Sequence, residues 1–275
     1  MNFYDAQLAN EFLGKKIIAS HPFFISRLGF SELDHISKIY GGPRLIPPIN
    51  RLKAAVKAPY TQLKRKFFLE SIGPEIELAY KNADMHFYES DPRIIGAEHY
   101  VNVNIPSRRI MLPQEIILPI RLNNPWVKFL CGKKVLVISP FVDDFERQFA
   151  RLNLIWAKKK EMAPNFGLLK YKSPFYFHEW QPALQRLKED IALIDFEIAL
   201  IGAGPISSIL GFYISSVLRR QSINVGGALQ LYFGVIGQRW IDSGIVDNYL
   251  NDSWIRPTHA PLPNYGARGD NINYW

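Results

Sequence analysis

Cysteine is nearly absent from this chain. Cys131 stands alone, so an internal disulfide and a cysteine-cluster metal site are both excluded, and a reducing compartment is the natural setting. The six histidines, His21, His35, His86, His99, His178 and His259, are scattered without an i, i+4 pair, which argues against a zinc site. G-x-S-x-G does not occur, and without that nucleophile elbow a serine hydrolase is disfavoured. The opening residues, MNFYDAQLANEF, have neither the basic start nor the apolar core of a secretory signal, so the expected location is the cytoplasm.

Acid is in short supply. A net charge of +8 and a pI near 9.4 imply an anionic partner: nucleic acid, a membrane surface or a phosphorylated substrate. No acid at all occurs from Arg51 to Leu69, where Arg51, Lys53, Lys57, Lys64, Arg65 and Lys66 precede Phe67-Phe68-Leu69. Basic residues beside aromatics fit a helix lying on an anionic bilayer, at the inner membrane face, or else a solvated basic face. No nucleic-acid-binding motif accompanies them, so nucleic acid is not the expected partner. Ile198 to Leu218 is uncharged and long enough to span a bilayer. Gly202, Gly204, Pro205 and four following serines interrupt it, and the mean hydropathy is -0.07; a strand, turn and helix in an α/β core explain the same pattern.

With 275 residues, 48% of them hydrophobic, the chain can bury a large core, and one α/β domain over 1–275 is expected. Residues 51–125 read as an insertion or an acceptor- and membrane-side region, and 251–275 as an irregular tail or lid.

The most complete unit runs from Asp195 to Trp240. Phe196 to Ile201 is a short apolar run ending at Gly202-Ala203-Gly204-Pro205, which reads as a buried strand and a sharp turn. Pro205 suits the first helical position. Ile206, Ile209, Leu210, Tyr213, Ile214, Val217 and Leu218 then recur at helical spacing up to Arg219-Arg220. Ile223-Asn224-Val225 is a second strand, and Gly226-Gly227 a second tight turn before the amphipathic segment ALQLYFGVIGQRW. A helix N-terminus near Ser207 and Ser208 favours an anion. The dinucleotide fingerprint is incomplete, however: Ser207 stands where G-x-G-x-x-G needs its third glycine, and Ser222 to Gly227 contain no acid to hold ribose hydroxyls.

The same theme recurs. Phe23 to Leu28 reads as a strand, with a helix from Ser31 to Tyr40 in which Ser31 and Asp34 serve as caps. Glu32 stands apart, because it falls just past the carboxyl end of a core strand, where open α/β sheets place ligands. Helical pattern resumes from Gly73 to Lys81, Ala83 to Tyr88 suggests a strand, and the proline-bearing Asp91 to Pro125 suggests strands and loops. Lys133 to Ser139, KKVLVIS, is the clearest strand and leads into a helix containing Asp144-Phe145-Glu146. That acid-x-acid pair suits either a divalent ion or a helix dipole. Phe166 to Tyr171 and Glu179 to Ile194 add a strand and an amphipathic helix. The alternation argues a mainly parallel, Rossmann-like sheet flanked by helices.

Taken together, ISRLGFSEL, KKVLVISPF, ALIGAGP, VGGALQLYFGVIGQRW, SWIRP and the terminal YW resemble a family of bacterial proteins related to the GT-D glycosyltransferase fold and associated with surface-polysaccharide biosynthesis. The resemblance runs from about residue 20 and skips Arg51 to Pro125. It implies transfer of a sugar from a nucleotide donor to a glycan or lipid-linked acceptor, with Gly202, Ala203, Gly204, Gly226 and Gly227 lining the donor side. GT-D enzymes carry an Asp-x-Glu metal motif after the first strand; here the matching place reads Phe30-Ser31-Glu32, which leaves dependence on Mn or Mg open. Glu32 then binds donor hydroxyls, holds a metal, or deprotonates the acceptor. Arg27 or Arg239 would neutralise the leaving diphosphate, and Gln230 would bond a sugar or base. Two alternatives stand beside this one: an S-adenosylmethionine- or nucleotide-dependent Rossmann enzyme, and a non-catalytic binding subunit on a glycosyltransferase fold.

Overall fold

The computed structural model describes residues 5–27, 59–88, 110–173 and 180–258. Helix α1 (Ala6–Ala19) begins at Asp5, whose side chain accepts the Leu8 N–H at 2.9 Å, and leads into β1 (Phe23–Arg27). There follow α2 (Pro59–Asn82), β2 (Met85–Tyr88), β3 (Ile110–Pro113) and β4 (Lys134–Ser139). Next come α3 (Val142–Phe149), α4 (Leu152–Ile155), β5 (Gly167–Lys172), α5 (Trp180–Ala192), β6 (Ile198–Ile201), α6 (Ile206–Ser216) and β7 (Gln221–Asn224). The short helices α7 (Leu229–Tyr232) and α8 (Gln238–Asp242) close the described part.

All seven strands pair in parallel, in the order β3-β2-β1-β7-β6-β4-β5. The Rossmann-like α/β class expected from the alternating pattern is the class observed. A strand in such a sheet is buried on both faces, which is why VLVIS and IALI are continuous apolar runs. Successive residues serve opposite layers. Val135, Val137, Leu200, Ile25 and Ile223 pack with α1, α3 and α7, whereas Leu136, Ile138, Ala199 and Ile201 pack with α2, α5 and α6.

Direction of travel decides which layer each connection occupies. The β4-to-β5 step moves outward along the sheet through α3, and the β6-to-β7 step moves the opposite way through α6. Both are right-handed only if the two helices cover opposite faces, as they do. The chain therefore leaves β6 towards the α6 face and leaves β7 towards the α1 face, opening a crevice at the carboxyl ends where ligands bind in sheets of this kind.

Several elements differ from the sequence reading. Helix α2 starts at Pro59 rather than near Gly73 and accommodates Pro74 in its interior. Asp91 to Pro125 contributes β3 and two 3₁₀ turns in its described part. The segment ALQLYFGVIGQRW is not one helix: α7 stops at Tyr232 and Gly234 turns at φ +66°, where a Cβ would lie 2.6 Å from Ile155 Cγ2. Arg219 lies beyond the end of α6, at φ +57°. The uncharged Ile198 to Leu218 divides into β6 and α6, and among the described residues no helix is long and apolar enough to cross a membrane.

The tail from Asn251 to Thr258 lacks regular structure but is anchored. Ile255 bridges Val235, Gln148 Nε2 donates to the Ser253 carbonyl at 2.7 Å, and Trp254 stacks edge-on against Trp156 at 5.1 Å.

Candidate functional site

Three chain segments meet at the carboxyl edge. Arg27 ends β1, Gly202-Ala203-Gly204 follows β6, and Gly226-Gly227 follows β7. The two glycine turns are pressed together, since a Cβ on Gly202 would fall 2.7 Å from the Gly226 carbonyl oxygen. Gly226 itself adopts φ +62°, and a Cβ there would meet Arg27 Nη1 at 2.5 Å. A glycine is needed on both counts. The Arg27 guanidinium thus lies against the β7 turn, and its buried Nε has no hydrogen-bond partner among the described residues. The Arg27 backbone carbonyl receives the Tyr80 hydroxyl at 3.3 Å, tying β1 to α2.

The turn after β6 is arranged differently. Ser207 Oγ accepts the Ala203 N–H at 2.9 Å, and the Ser207 N–H donates to the Gly204 carbonyl at 3.0 Å. The residue that replaces the third glycine therefore takes up an amide that a pyrophosphate would otherwise use. Gly204, at φ +62°, borders open space, with nothing within 4 Å of an added Cβ.

The structure thus brings Arg27, Gly202, Ala203, Gly204, Gly226 and Gly227 into one crevice. Gln230 is 1% exposed and its Oε1 accepts from Trp240 Nε1 at 3.4 Å. It sits in the four-residue α7. Arg239 lies on α8 with its guanidinium over the Trp240 ring at 4.1 Å. Glu32, Arg51, Lys53 and Lys57 lie outside the described residues, while Lys64, Arg65 and Lys66 fall within α2.

Sequence reasoning gave no site role to Ser26, His86 and Asn224 near this edge, and named Ser208 only as part of a helix N-terminus favouring an anion. Ser26 Oγ and His86 Nδ1, both fully buried, share a 2.5 Å hydrogen bond across β1 and β2. Asn224 Nδ2 donates to Ser208 Oγ at 3.2 Å. The signal was a polar residue inside otherwise apolar strands, FFISR and SINV.

The acid-x-acid pair after β4 does not fit a divalent ion. Buried Asp144 accepts from Arg147 and from the Thr258 hydroxyl at 2.6 Å, while Glu146 pairs with Lys170 and Asp143 with Lys172. No cluster of three or more His, Cys, Asp or Glu side chains suited to a metal occurs among the described residues. A small apolar pocket lies between Leu130, Met162, Leu200 and Tyr232, and neither glycine turn lines it. Burial holds the Tyr232 hydroxyl in its protonated form, and it donates to the Ile117 carbonyl at 2.5 Å.

No family model matches the sequence, and no curated protein matches it. A solved structure, a selenomethionine-substituted domain of unknown function 1792, is similar at a TM-score of 0.47 and 15% identity, covering 84% of this chain and 79% of that one. Similarity at that level bears on neither activity nor substrate.

Proposed function

We propose that the protein is a glycosyltransferase of GT-D type that binds a nucleotide sugar in the crevice above β1, β7 and β6 and passes the sugar to a glycan or lipid-linked acceptor in surface-polysaccharide biosynthesis. One observation carries this reading: Arg27 is held at the carboxyl end of β1 against a glycine turn, with a buried donor left unpaired. A cation so placed favours an anion, and a departing nucleoside diphosphate is the anion that glycosyl transfer releases. The resemblance of ISRLGFSEL and VGGALQLYFGVIGQRW supplies the reaction class. In the reaction, the acceptor oxygen bonds to the anomeric carbon as the bond to the diphosphate oxygen breaks. The acceptor proton passes to a general base, the role given to Glu32, and Arg27 offsets charge on the leaving group. The Ala203 amide taken by Ser207 and the lack of an acid after β7 weigh against a dinucleotide or S-adenosylmethionine enzyme. Contact with an anionic inner membrane face is proposed for Arg51, Lys53, Lys57, Lys64, Arg65 and Lys66.

The test is a thermal-shift panel of UDP-, GDP-, dTDP- and CMP-sugars beside S-adenosylmethionine and NAD, each with and without Mn. A ligand of the folded state raises the midpoint progressively as its concentration exceeds its Kd. A shift by one nucleotide sugar is the expected result. Shifts by S-adenosylmethionine or NAD alone would overturn the reading, and silence throughout would favour a non-catalytic subunit. Once the donor is known, Glu32→Gln is expected to abolish transfer while lowering stability by no more than about 1 kcal/mol; transfer at the wild-type rate removes Glu32 from the mechanism.

A further inference from the structure

Beside the Arg27–Gly226 contact the sheet carries polar side chains on its α6 face. Ser26 lies opposite His86 in the register of β1 and β2. One step beyond the Ile25–Ile223 pair it also lies opposite Asn224, which in turn faces Ile201. Ser26 Oγ and His86 Nδ1 are hydrogen-bonded to each other. Asn224 is placed differently. It is only 6% exposed, and its Nδ2 donates to Ser208 Oγ, but its Oδ1 accepts no hydrogen bond from the described residues. The Ser208 hydroxyl, itself 2% exposed, accepts that bond and donates none.

The pair therefore offers an unspent acceptor at the end of β7 and an unspent hydroxyl donor beside it in the first turn of α6. Gly204, just before that turn, borders open space. Nothing in the pair is charged, and the neighbouring Ala203 amide is already taken by Ser207. The cation of the crevice, Arg27, lies on the Gly226 side instead. The two glycine turns thus present different chemistry, cationic after β7 and neutral after β6.

We infer that Asn224 and Ser208 form a neutral hydrogen-bonding subsite for an uncharged group that donates and accepts together, either a sugar hydroxyl or the polar edge of a base, while the diphosphate lies on the Arg27–Gly226 side. This inference rests on the nucleotide-sugar reading and orients the ligand within it. A dinucleotide-like arrangement would place the phosphates at the α6 N-terminus.

Isothermal titration of the wild type, Asn224→Leu, Ser208→Ala and Arg27→Gln decides the matter. The probes are the UDP-, GDP-, dTDP- and CMP-sugars, then the nucleoside diphosphate and the nucleoside of whichever one binds. Asn224→Leu is expected to raise Kd for the nucleotide sugar about tenfold and Ser208→Ala about threefold. The same loss with the free nucleoside assigns the pair to the base; a loss seen only with the intact nucleotide sugar assigns it to the sugar. Arg27→Gln is expected to weaken the nucleoside diphosphate and leave the nucleoside unchanged. Ser208→Ala, the smaller change, decides alone if Asn224→Leu does not fold. Wild-type binding that survives both substitutions unchanged overturns the subsite and spares the functional reading. A wild type that binds none of the four sugars overturns the functional reading and the subsite with it.

Discussion

The contact between the two glycine turns is the most exposed point of the site description, and Gly202→Ala tests it. Gly202 is not in the left-handed region, so alanine brings no backbone strain there. Its methyl carbon would lie 2.7 Å from the Gly226 carbonyl oxygen and 3.2 Å from Leu229 Cδ2, well inside the roughly 3.5 Å at which non-bonded carbon contacts become favourable. The closer obstacle is backbone and cannot rotate away, so the turns must part. Overpacking of this kind costs about 1–3 kcal/mol, which for a chain of this length lowers Tm by roughly 2–12 °C. Gly204→Ala makes the comparison. No atom lies within 4 Å of the added carbon, but φ is +62°, so the cost is left-handed strain alone, about 1–2 kcal/mol. Asparagine separates the two mechanisms, because it tolerates the left-handed region and is bulkier than alanine. Gly204→Asn should be milder than Gly204→Ala, and Gly202→Asn worse than Gly202→Ala, in Tm followed by circular dichroism. A Gly202→Ala variant that melts with the wild type, or asparagine rescue at 202 and not at 204, would refute the contact.

Other expectations follow from single groups. Burial, aided by the hydrogen bond to Asp190, pushes the Tyr171 hydroxyl up to about 12. A raised pKa contributes stability present below the unfolded value near 10 and lost as pH climbs towards 12; Tyr171→Phe should flatten that alkaline decline in urea midpoints, and an unchanged slope would count against it. Asp144 is 3% exposed and takes both the N–H and the hydroxyl of Thr258. Asp144→Ala should therefore cost about 1–3 kcal/mol and speed cleavage within 251–258 by a broad-specificity protease, whereas equal cleavage would show that Asp144 does not hold the strap. Changing Lys64, Arg65 and Lys66 together to Gln should lower partition onto anionic vesicles about a hundredfold, at about 1 kcal/mol per charge; unchanged flotation would mark a merely solvated face.

How much of this was legible depended on whether the determining forces were local. β4 and β6 could be read directly, because a strand buried on both faces must be apolar throughout. The turns at Gly202 and Gly226 were equally readable. The first half of α2 was not, since PYTQLKRK offers too few apolar residues to set a helical period, and the core residues described on this helix, Ile72, Ile76 and Tyr80, lie in its later turns. In ALQLYFGVIGQRW the apolar spacing suggested one helix, but the segment is shaped by the close approach of Gly234 to Ile155, seventy-odd positions earlier in the chain. Gln230 and Arg239 consequently sit on separate short helices. Asn224, and its pairing with Ser208, was missed because that hydrogen bond joins residues from a strand and the preceding helix, a pairing that no spacing rule picks out.

The same non-local origin explains why the glycine fingerprint is incomplete although the two turns and Arg27 pack closely at one edge of the sheet. In a dinucleotide-binding unit one turn does everything, so its glycines, helix N-terminus and acidic residue must follow one another in sequence. Here the work is divided. The turn after β6 supplies close packing and a neutral helix start, with Ser207 closing its own loop amide. The turn after β7 supplies a left-handed glycine that leaves room for a guanidinium, and the cation itself comes from β1, at the far end of the chain. The parallel pairing of β1 with β7 and of β7 with β6 brings these parts together, and right-handed connections on opposite faces open the space between them. Under the proposed function a third glycine at position 207 would add nothing, because the phosphate-binding duty that it serves elsewhere is the one proposed for Arg27.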